Sequence, residues 1–191
     1  MNDAEIRARL HAHFDREGSP WVDEVKTADC RADMLALVGG VLTGIEIKSG
    51  KDTLKRLDRQ IAAFEQRFRQ VLVVTEARHA PKVKAAVPAH CGIWVAEETP
   101  SGVLLRTRSR PLGTRRPQPR GKGNPMRLLW LLRRAELVSA LGDDPAGPLT
   151  KRAAAERLRA ELPIEAVERL VLDALVARKG AAGKGHLAAG G

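Results

Sequence analysis

Apolar residues recur at helical spacing near the start of the chain, where Ile6, Leu10 and Phe14 share one face of residues 3–14, and predict an amphipathic first helix. Residues 32–38 and 41–48 are aliphatic runs on either side of Gly39-Gly40. That dipeptide accepts the positive φ angles of a tight turn, so the stretch predicts a β-hairpin. From Asp52, a good helix cap, Leu54, Leu57, Ile61, Phe64 and Phe68 recur at three or four and predict a helix to Phe68 with a core-facing stripe. QVLVVTE (70–76) reads as a strand buried on both faces, residues 80–87 as a short helix, and CGIWVAEE and GVLLRTR as two more strands. Three later runs, 126–141, 150–162 and 164–179, each show helical periodicity. The order helix, hairpin, helix, strand, helix, strand, strand describes an α/β fold, a mixed β-sheet flanked by helices, with a C-terminal helical extension.

Composition adds boundaries. Of the 191 residues, 43% are hydrophobic, enough for one substantial core. The early stretch is interrupted by Asp3, Glu5, Arg7, Arg9 and Asp15, and no later stretch approaches the ~18 uncharged residues of a membrane span, so the expectation is a cytoplasmic protein. The net charge of +10 is concentrated in one place: residues 1–105 hold 15 Lys/Arg and 15 Asp/Glu, residues 106–127 hold 8 and none, and residues 128–191 hold 10 and 8. The segment SRPLGTRRPQPRGKGNP has four prolines, three glycines and no apolar period. These shifts divide the chain into a core (1–107), a basic linker or arm (108–125), a helical extension (126–179) and a Gly/Ala-rich tail (180–191). Cys30 and Cys91 lie outside any C-x-x-C or metal-spaced histidine pattern and read as two plain buried thiols. His11, His13, His79, His90 and His186 form no recognisable nucleophilic arrangement and read as structural or surface residues.

The chemistry lies in the hairpin. A two-residue turn at Gly39-Gly40 pairs Val38 with Val41, and continuing that register sets Asp33 opposite Glu46. Lys48, two residues on, shares the face of Glu46. Two carboxylates in one place repel unless a cation lies between them. Asp33, Glu46 and the carbonyl of Ile47 are oxygen donors, which suit Mg²⁺ or Mn²⁺ rather than Zn²⁺. Such an ion lowers the pKa of a bound water and neutralises charge on a phosphoryl oxygen, while Lys48 offers a compact positive charge. The alternative is a surface ion pair between Lys48 and Glu46, worth about 0–1 kcal/mol.

Asp33 followed by Glu46-Ile47-Lys48 at the end of the next strand, and then a helix, resembles the PD-(D/E)xK nuclease superfamily. The runs RADMLAL, EIKSGKDTLKRLDRQI and NPMRLLWLLRRAEL resemble a small bacterial and phage family assigned to it, and the likeness spans about Glu24 to Arg178. It implies a restriction-endonuclease-like core, metal ligation by Asp33 and Glu46, a catalytic role for Lys48, DNA cleavage leaving a 5′-phosphate, and a site role for a glutamine on the following helix, which Gln60 matches. Ala32 stands where many members of the superfamily have proline.

Other residues carry two readings each. Gln60 borders the apolar stripe and either edges the core or joins the site. Glu24 is a third metal ligand or a surface acid, and Ser49 a helix cap or a substrate contact. Arg31, opposite Lys48 in the same register, meets a second cation unless a phosphate lies between them. Arg106, Arg108, Arg110, Arg115, Arg116, Arg120 and Lys122 form either a phosphate-binding arm or a solubilising connector. As an arm, about six phosphate contacts give a log-log salt slope of about five, with RNA as compatible as DNA on charge alone. Cutting both strands from one active site requires a homodimer or successive nicks. The same sequence also suits a non-catalytic nucleic-acid-binding or accessory protein.

Overall fold

A computed structural model describes residues 1–27, 30–49, 53–99, 102–106, 124–144 and 146–180. Six strands form one sheet in sequence order: β1 (Trp21–Lys26), β2 (Arg31–Val38), β3 (Val41–Lys48), β4 (Gln70–Glu76), β5 (Gly92–Thr99) and β6 (Gly102–Arg106). β1, β2 and β3 run antiparallel, β3, β4 and β5 parallel, and β6 returns antiparallel to β5. The parallel crossovers are made by α2 (Leu57–Glu65), entered through a single 3-10 turn at Leu54–Arg56, and by α3 (Ala80–Ala86). This is the mixed α/β sheet flanked by helices, with a C-terminal helical part, that the hydrophobic pattern predicts.

Each face of the sheet has its own core. On one side α1 (Asp3–Arg16) buries Ile6, Leu10 and Phe14 against Met34, Ala36, Ile45, Ile47, Leu72 and Val74. On the other, α2 lays Leu57, Ile61 and Phe64 over Leu35, Leu42, Val71, Val73 and Ile93. The C-terminal helices share this second core, which also holds Leu128, Leu137, Leu158, Val171 and Leu172. Fully buried Glu168 of α7 (Ile164–Gly180) reaches the sheet directly, accepting the Leu42 amide at 3.3 Å and both the Nε and a terminal nitrogen of Arg69 at 2.7 and 2.8 Å. No helix among the described residues is long and apolar enough to cross a membrane.

Several elements depart from the sequence expectations. β1 was not predicted, because Asp23 and Glu24 interrupt its apolar residues. The helix predicted over 126–141 is two: α4 (Pro125–Leu129) and α5 (Arg134–Ala140), followed by α6 (Lys151–Glu161). One continuous helix would spread Leu128, Leu129, Leu132, Leu137 and Val138 around its circumference, whereas the break at 130–133 turns all five into one core and leaves Trp130 47% exposed. α2 ends at Glu65, and Phe68 re-enters the core through a turn in which its amide bonds Phe64 O at 2.8 Å. Cys30 is only half-buried, with its Sγ 3.2 Å from Thr27 Oγ1. Asp52, most of the basic segment and the tail lie outside the described residues.

The turn glycines adopt φ of 61° and 80° and the register Val38↔Val41 to Met34↔Ile45 follows, as predicted. Gly44 serves a different purpose. A Cβ there would lie 2.6 Å from Phe68 Cδ2 and 3.1 Å from Phe64 Cδ2, so its missing side chain lets the two rings lie on β3. Gly44→Val is therefore expected to destabilise the fold by overpacking, by about 2 kcal/mol or more, read as a lower urea midpoint at unchanged slope.

Candidate active site

The site is assembled where β3 ends and α2 passes over it. Alternation along β3 sends Ile45 and Ile47 to the α1 side, and Glu46 and Lys48 therefore to the α2 side. Glu46 is 3% exposed and Lys48 is buried beside it, so this is not a surface ion pair. Lys48 Nζ donates to Glu46 Oε1 at 2.7 Å and to Gln60 Oε1 at 3.0 Å, and Gln60 Nε2 donates to the same Glu46 oxygen at 2.5 Å. The three side chains close a ring of hydrogen bonds on one carboxylate oxygen. The other, Oε2, is buried and has no hydrogen-bond partner among the described residues. Gln60 thus joins the site, although it borders the apolar stripe of α2.

Asp33 reaches the site by a route the register does not predict. The β2–β3 ladder ends at Met34↔Ile45, while β2 stays paired with β1 through Val25↔Ala32 and Lys26↔Arg31. The direct opposition expected for Asp33 and Glu46 is replaced by a side-chain bond: Asp33 Oδ2 accepts the Ile47 amide at 2.8 Å. The expected juxtaposition of Arg31 and Lys48 does not form either. Arg31 lies across from Lys26, and its Nε binds Glu24 Oε2 at 2.8 Å, so its charge is spent on a neighbouring carboxylate.

The divergence has a backbone cause. Val22 and Val25 belong to the same core cluster, as do Ala32 and Leu35, although strict alternation would put residues three apart on opposite faces. The face switches at Glu24 and Asp33. Glu24 absorbs the switch with φ of 56°, the one described non-glycine residue with positive φ, a strain of about 1 kcal/mol or more. Arg7 of α1 braces the corner: it contacts Glu24 Oε1 at 3.1 Å, Asp23 Oδ1 at 3.1 Å and the Asp33 carbonyl at 2.7 Å, and lies 3.9 Å from Asp33 Oδ1. Glu24 is therefore beside Asp33, with its two oxygens held by Arg7 and Arg31. Nothing in the α1 pattern distinguishes Arg7 from its solvent-facing neighbours, and the sequence reading missed it.

Arg106 closes β6, but its side chain lies outside the described residues, as do Arg108, Arg110, Arg115, Arg116, Arg120 and Lys122. Ser49 is buried at the end of β3. Thr75, next to Lys48 across the β3–β4 ladder, bonds the Lys48 carbonyl at 3.2 Å and fixes the strand end. A second cluster was also missed. Glu65 and the adjacent pair His90-Cys91, 25 residues on, converge at the other end of α2 with ligand atoms within 4.8 Å of one another.

Electrostatics single out Glu46. Burial pushes its carboxyl up, the nearby Asp33 charge pushes it further, and Lys48 and Gln60 oppose both, for a result of about 7 against an ordinary 4.5. Asp33 is also raised, by burial, against the Ile47 amide and Arg7. A buried carboxylate oxygen with no donor, next to a second carboxylate, fits a divalent cation better than it fits a closed salt bridge.

The family model for Bacteriophage P4 protein cII matches residues 21–185. The chain belongs to this phage P4 cII family. Protein cII of Enterobacteria phage P4 is 37% identical over 76 residues, which are 40% of this chain and 28% of that protein, so the chain spans little more than a quarter of its length. A protein of unknown function from Silicibacter pomeroyi is similar in structure, with a TM-score of 0.44 and 18% identity over 62% of this chain and 72% of that one. The family match begins at β1 and takes in Glu24, Asp33, Glu46, Lys48 and Gln60.

A carboxyl whose pKa is higher folded than unfolded holds more protons in the native state between the two values, so stability falls as pH rises from about 4.5 towards 7. Glu46→Gln removes that penalty. In metal-free buffer the variant is expected to match wild type near pH 4.5 and exceed it by about 1–3 kcal/mol at pH 8, measured by urea unfolding across pH.

Proposed function

We propose that this protein is a metal-dependent nuclease that hydrolyses DNA phosphodiester bonds, with Asp33, Glu46, Lys48 and Gln60 at its active site. The observation that supports the reading is Glu46 Oε2, buried and without a partner among the described residues, in a carboxyl that the nearby Asp33 charge also disfavours. Glu46 and Asp33, with the Ile47 carbonyl, would hold Mg²⁺ or Mn²⁺, for which all-oxygen donors are suited. When bound, that ion supplies charge neutralisation at the phosphoryl oxygens and a water of lowered pKa. Lys48 has three ammonium donors and spends two, on Glu46 and Gln60, which leaves one to orient the attacking water or meet a phosphoryl oxygen. Gln60 fixes the direction of that ammonium. Hydrolysis adds water across the P–O3′ bond, leaving a 5′-phosphate and a 3′-hydroxyl. The eight Lys/Arg of residues 106–127, with no acid among them, supply sequence-independent attraction to the backbone.

One observation favours a second reading, a non-catalytic nucleic-acid-binding protein. Arg7 and Arg31 take up the charge of Glu24, and Arg7 lies close to Asp33, so the protein's own cations neutralise part of the acidic cluster.

Cleavage of plasmid and linear DNA in Mg²⁺ or Mn²⁺ separates the two. Wild type is expected to cut, and Asp33→Ala, Glu46→Ala and Lys48→Ala to lose about a hundredfold or more, as expected when an electrostatic or acid–base group is removed. Equal cleavage by all four proteins would remove this site from the argument. Salt-sensitive binding without cleavage, on duplex, single-stranded and branched DNA and on RNA, would establish the second reading. Apparent Mn²⁺ affinity, followed by calorimetry, should rise up to about tenfold per pH unit below about 7 and level off above it, because Glu46 must lose its proton to bind.

A further inference from the structure

We propose that Glu65, His90 and Cys91 form a second metal site, of Zn²⁺ type, that ties the end of α2 to the start of β5. The three donors differ in kind from those around Glu46. A carboxylate, an imidazole and a thiol together make a borderline set suited to Zn²⁺, whereas the Glu46 site offers hard oxygens. The geometry is close to what the ion needs. Zn–ligand distances of about 2.0–2.3 Å in a tetrahedron put ligand atoms roughly 3.3–3.7 Å apart, and here all three lie within 4.8 Å of one another. His90 Nε2 and Glu65 Oε1 are 2.5 Å apart in a hydrogen bond, and a cation takes its place by opening the pair by about 1 Å.

The framework holds these donors in place. Glu65 is the last residue of α2, and Cys91 is fully buried just before β5, with its amide on Pro88 O at 3.0 Å. His90 and Glu65 keep partial solvent contact, which gives the ion a way in and leaves a fourth position for water. Binding releases the thiol proton to solvent and leaves any imidazole proton on Nδ1, so no redox step is involved. The consequence is mechanical. α2 also carries Phe64, which packs over Gly44, and Gln60, which bonds Glu46 and Lys48. An ion at the far end of the helix fixes its seating on the sheet.

The experiment is Zn²⁺ titration of the full metal-free chain against a chromophoric chelator, with Co²⁺ absorption as the ligand-specific readout. Wild type is expected to bind one Zn²⁺ and to show a thiolate-to-cobalt charge-transfer band. Cys91→Ser should lose the band, His90→Ala and Glu65→Gln should weaken Zn²⁺ by about tenfold or more, and Cys30→Ser and Glu46→Gln should leave both readouts intact. A saturating excess of Zn²⁺ should raise the melting temperature of wild type and Glu46→Gln by several degrees, but not that of His90→Ala. No binding by wild type, a band that survives in Cys91→Ser, or a band lost in Cys30→Ser would overturn the site. If Cys91→Ser does not fold, unchanged Zn²⁺ affinity in both His90→Ala and Glu65→Gln overturns it instead. Because Glu46→Gln keeps this site, the outcome is independent of whether the protein cleaves DNA.

Discussion

The seating of α2 on β3 is the contact on which the rest of the molecule turns. Without a side chain at Gly44, the Phe64 and Phe68 rings lie on the strand backbone, and this sets both the height and the rotation of the helix. Gln60, one turn before Phe64, then lies over Glu46 and Lys48. Glu65, one residue after it, arrives at His90. The two candidate sites are thus two ends of one rigid placement, and a shift of the helix by a fraction of a turn would break both. Packed cores deform little, so a local change at Gly44 is felt at each end.

The second constraint is at the edge of the sheet. β2 stays paired with β1 as far as Arg31 but leaves β3 after Met34. The strain is gathered at Glu24, where a left-handed backbone switches the faces of the β1–β2 ribbon. Asp33 sits at the same switch and is freed from the ladder to reach the Ile47 amide. Arg7 then bridges Glu24, Asp23 and the Asp33 carbonyl and fastens α1 to this corner. Backbone irregularity and the redirection of the Asp33 side chain coincide here.

How far the sequence could be read follows from the range of each signal. The Gly39-Gly40 turn is a local signal with a fixed geometric consequence, and it placed β2, β3 and their first five pairs. The apolar stripe of α2 and the unbroken aliphatic run of β4 are equally local. β1 was invisible because Asp23 and Glu24 break its alternation, and the reason they can do so is a contact with Arg7 on another element. The break at 130–133 was hidden for a similar reason: the helical period of MRLLWLLRRAEL is satisfactory until the leucines must all face one core. Glu46 and Lys48 were legible through spacing, since period two on the strand suffices, whereas Gln60 was legible only through the family resemblance. Glu65, His90 and Cys91 were not, because their meeting depends on how far α2 runs before β5 begins.

Two buried glutamates in the same core show what a purely structural carboxylate looks like in this protein. Glu168 has both oxygens engaged, by two nitrogens of Arg69 and by the Leu42 amide, in a fork geometry that offsets much of the cost of burial. Glu46 is nearly as buried, yet Lys48 and Gln60 both crowd onto Oε1 and leave Oε2 with no donor among the described residues, while the nearby Asp33 charge disfavours ionisation further. A residue serving only the fold would gain from a neutral amide at that position, since the charged form is disfavoured by its surroundings. Removing Lys48 or Gln60 would worsen the imbalance, and adding a donor would mend it, but the fold supplies none among the described residues. Donors on one oxygen only, with a second carboxylate nearby, suit a cation better than a closed salt bridge. That asymmetry, rather than the spacing of the acids along the chain, sets Glu46 apart from Glu168.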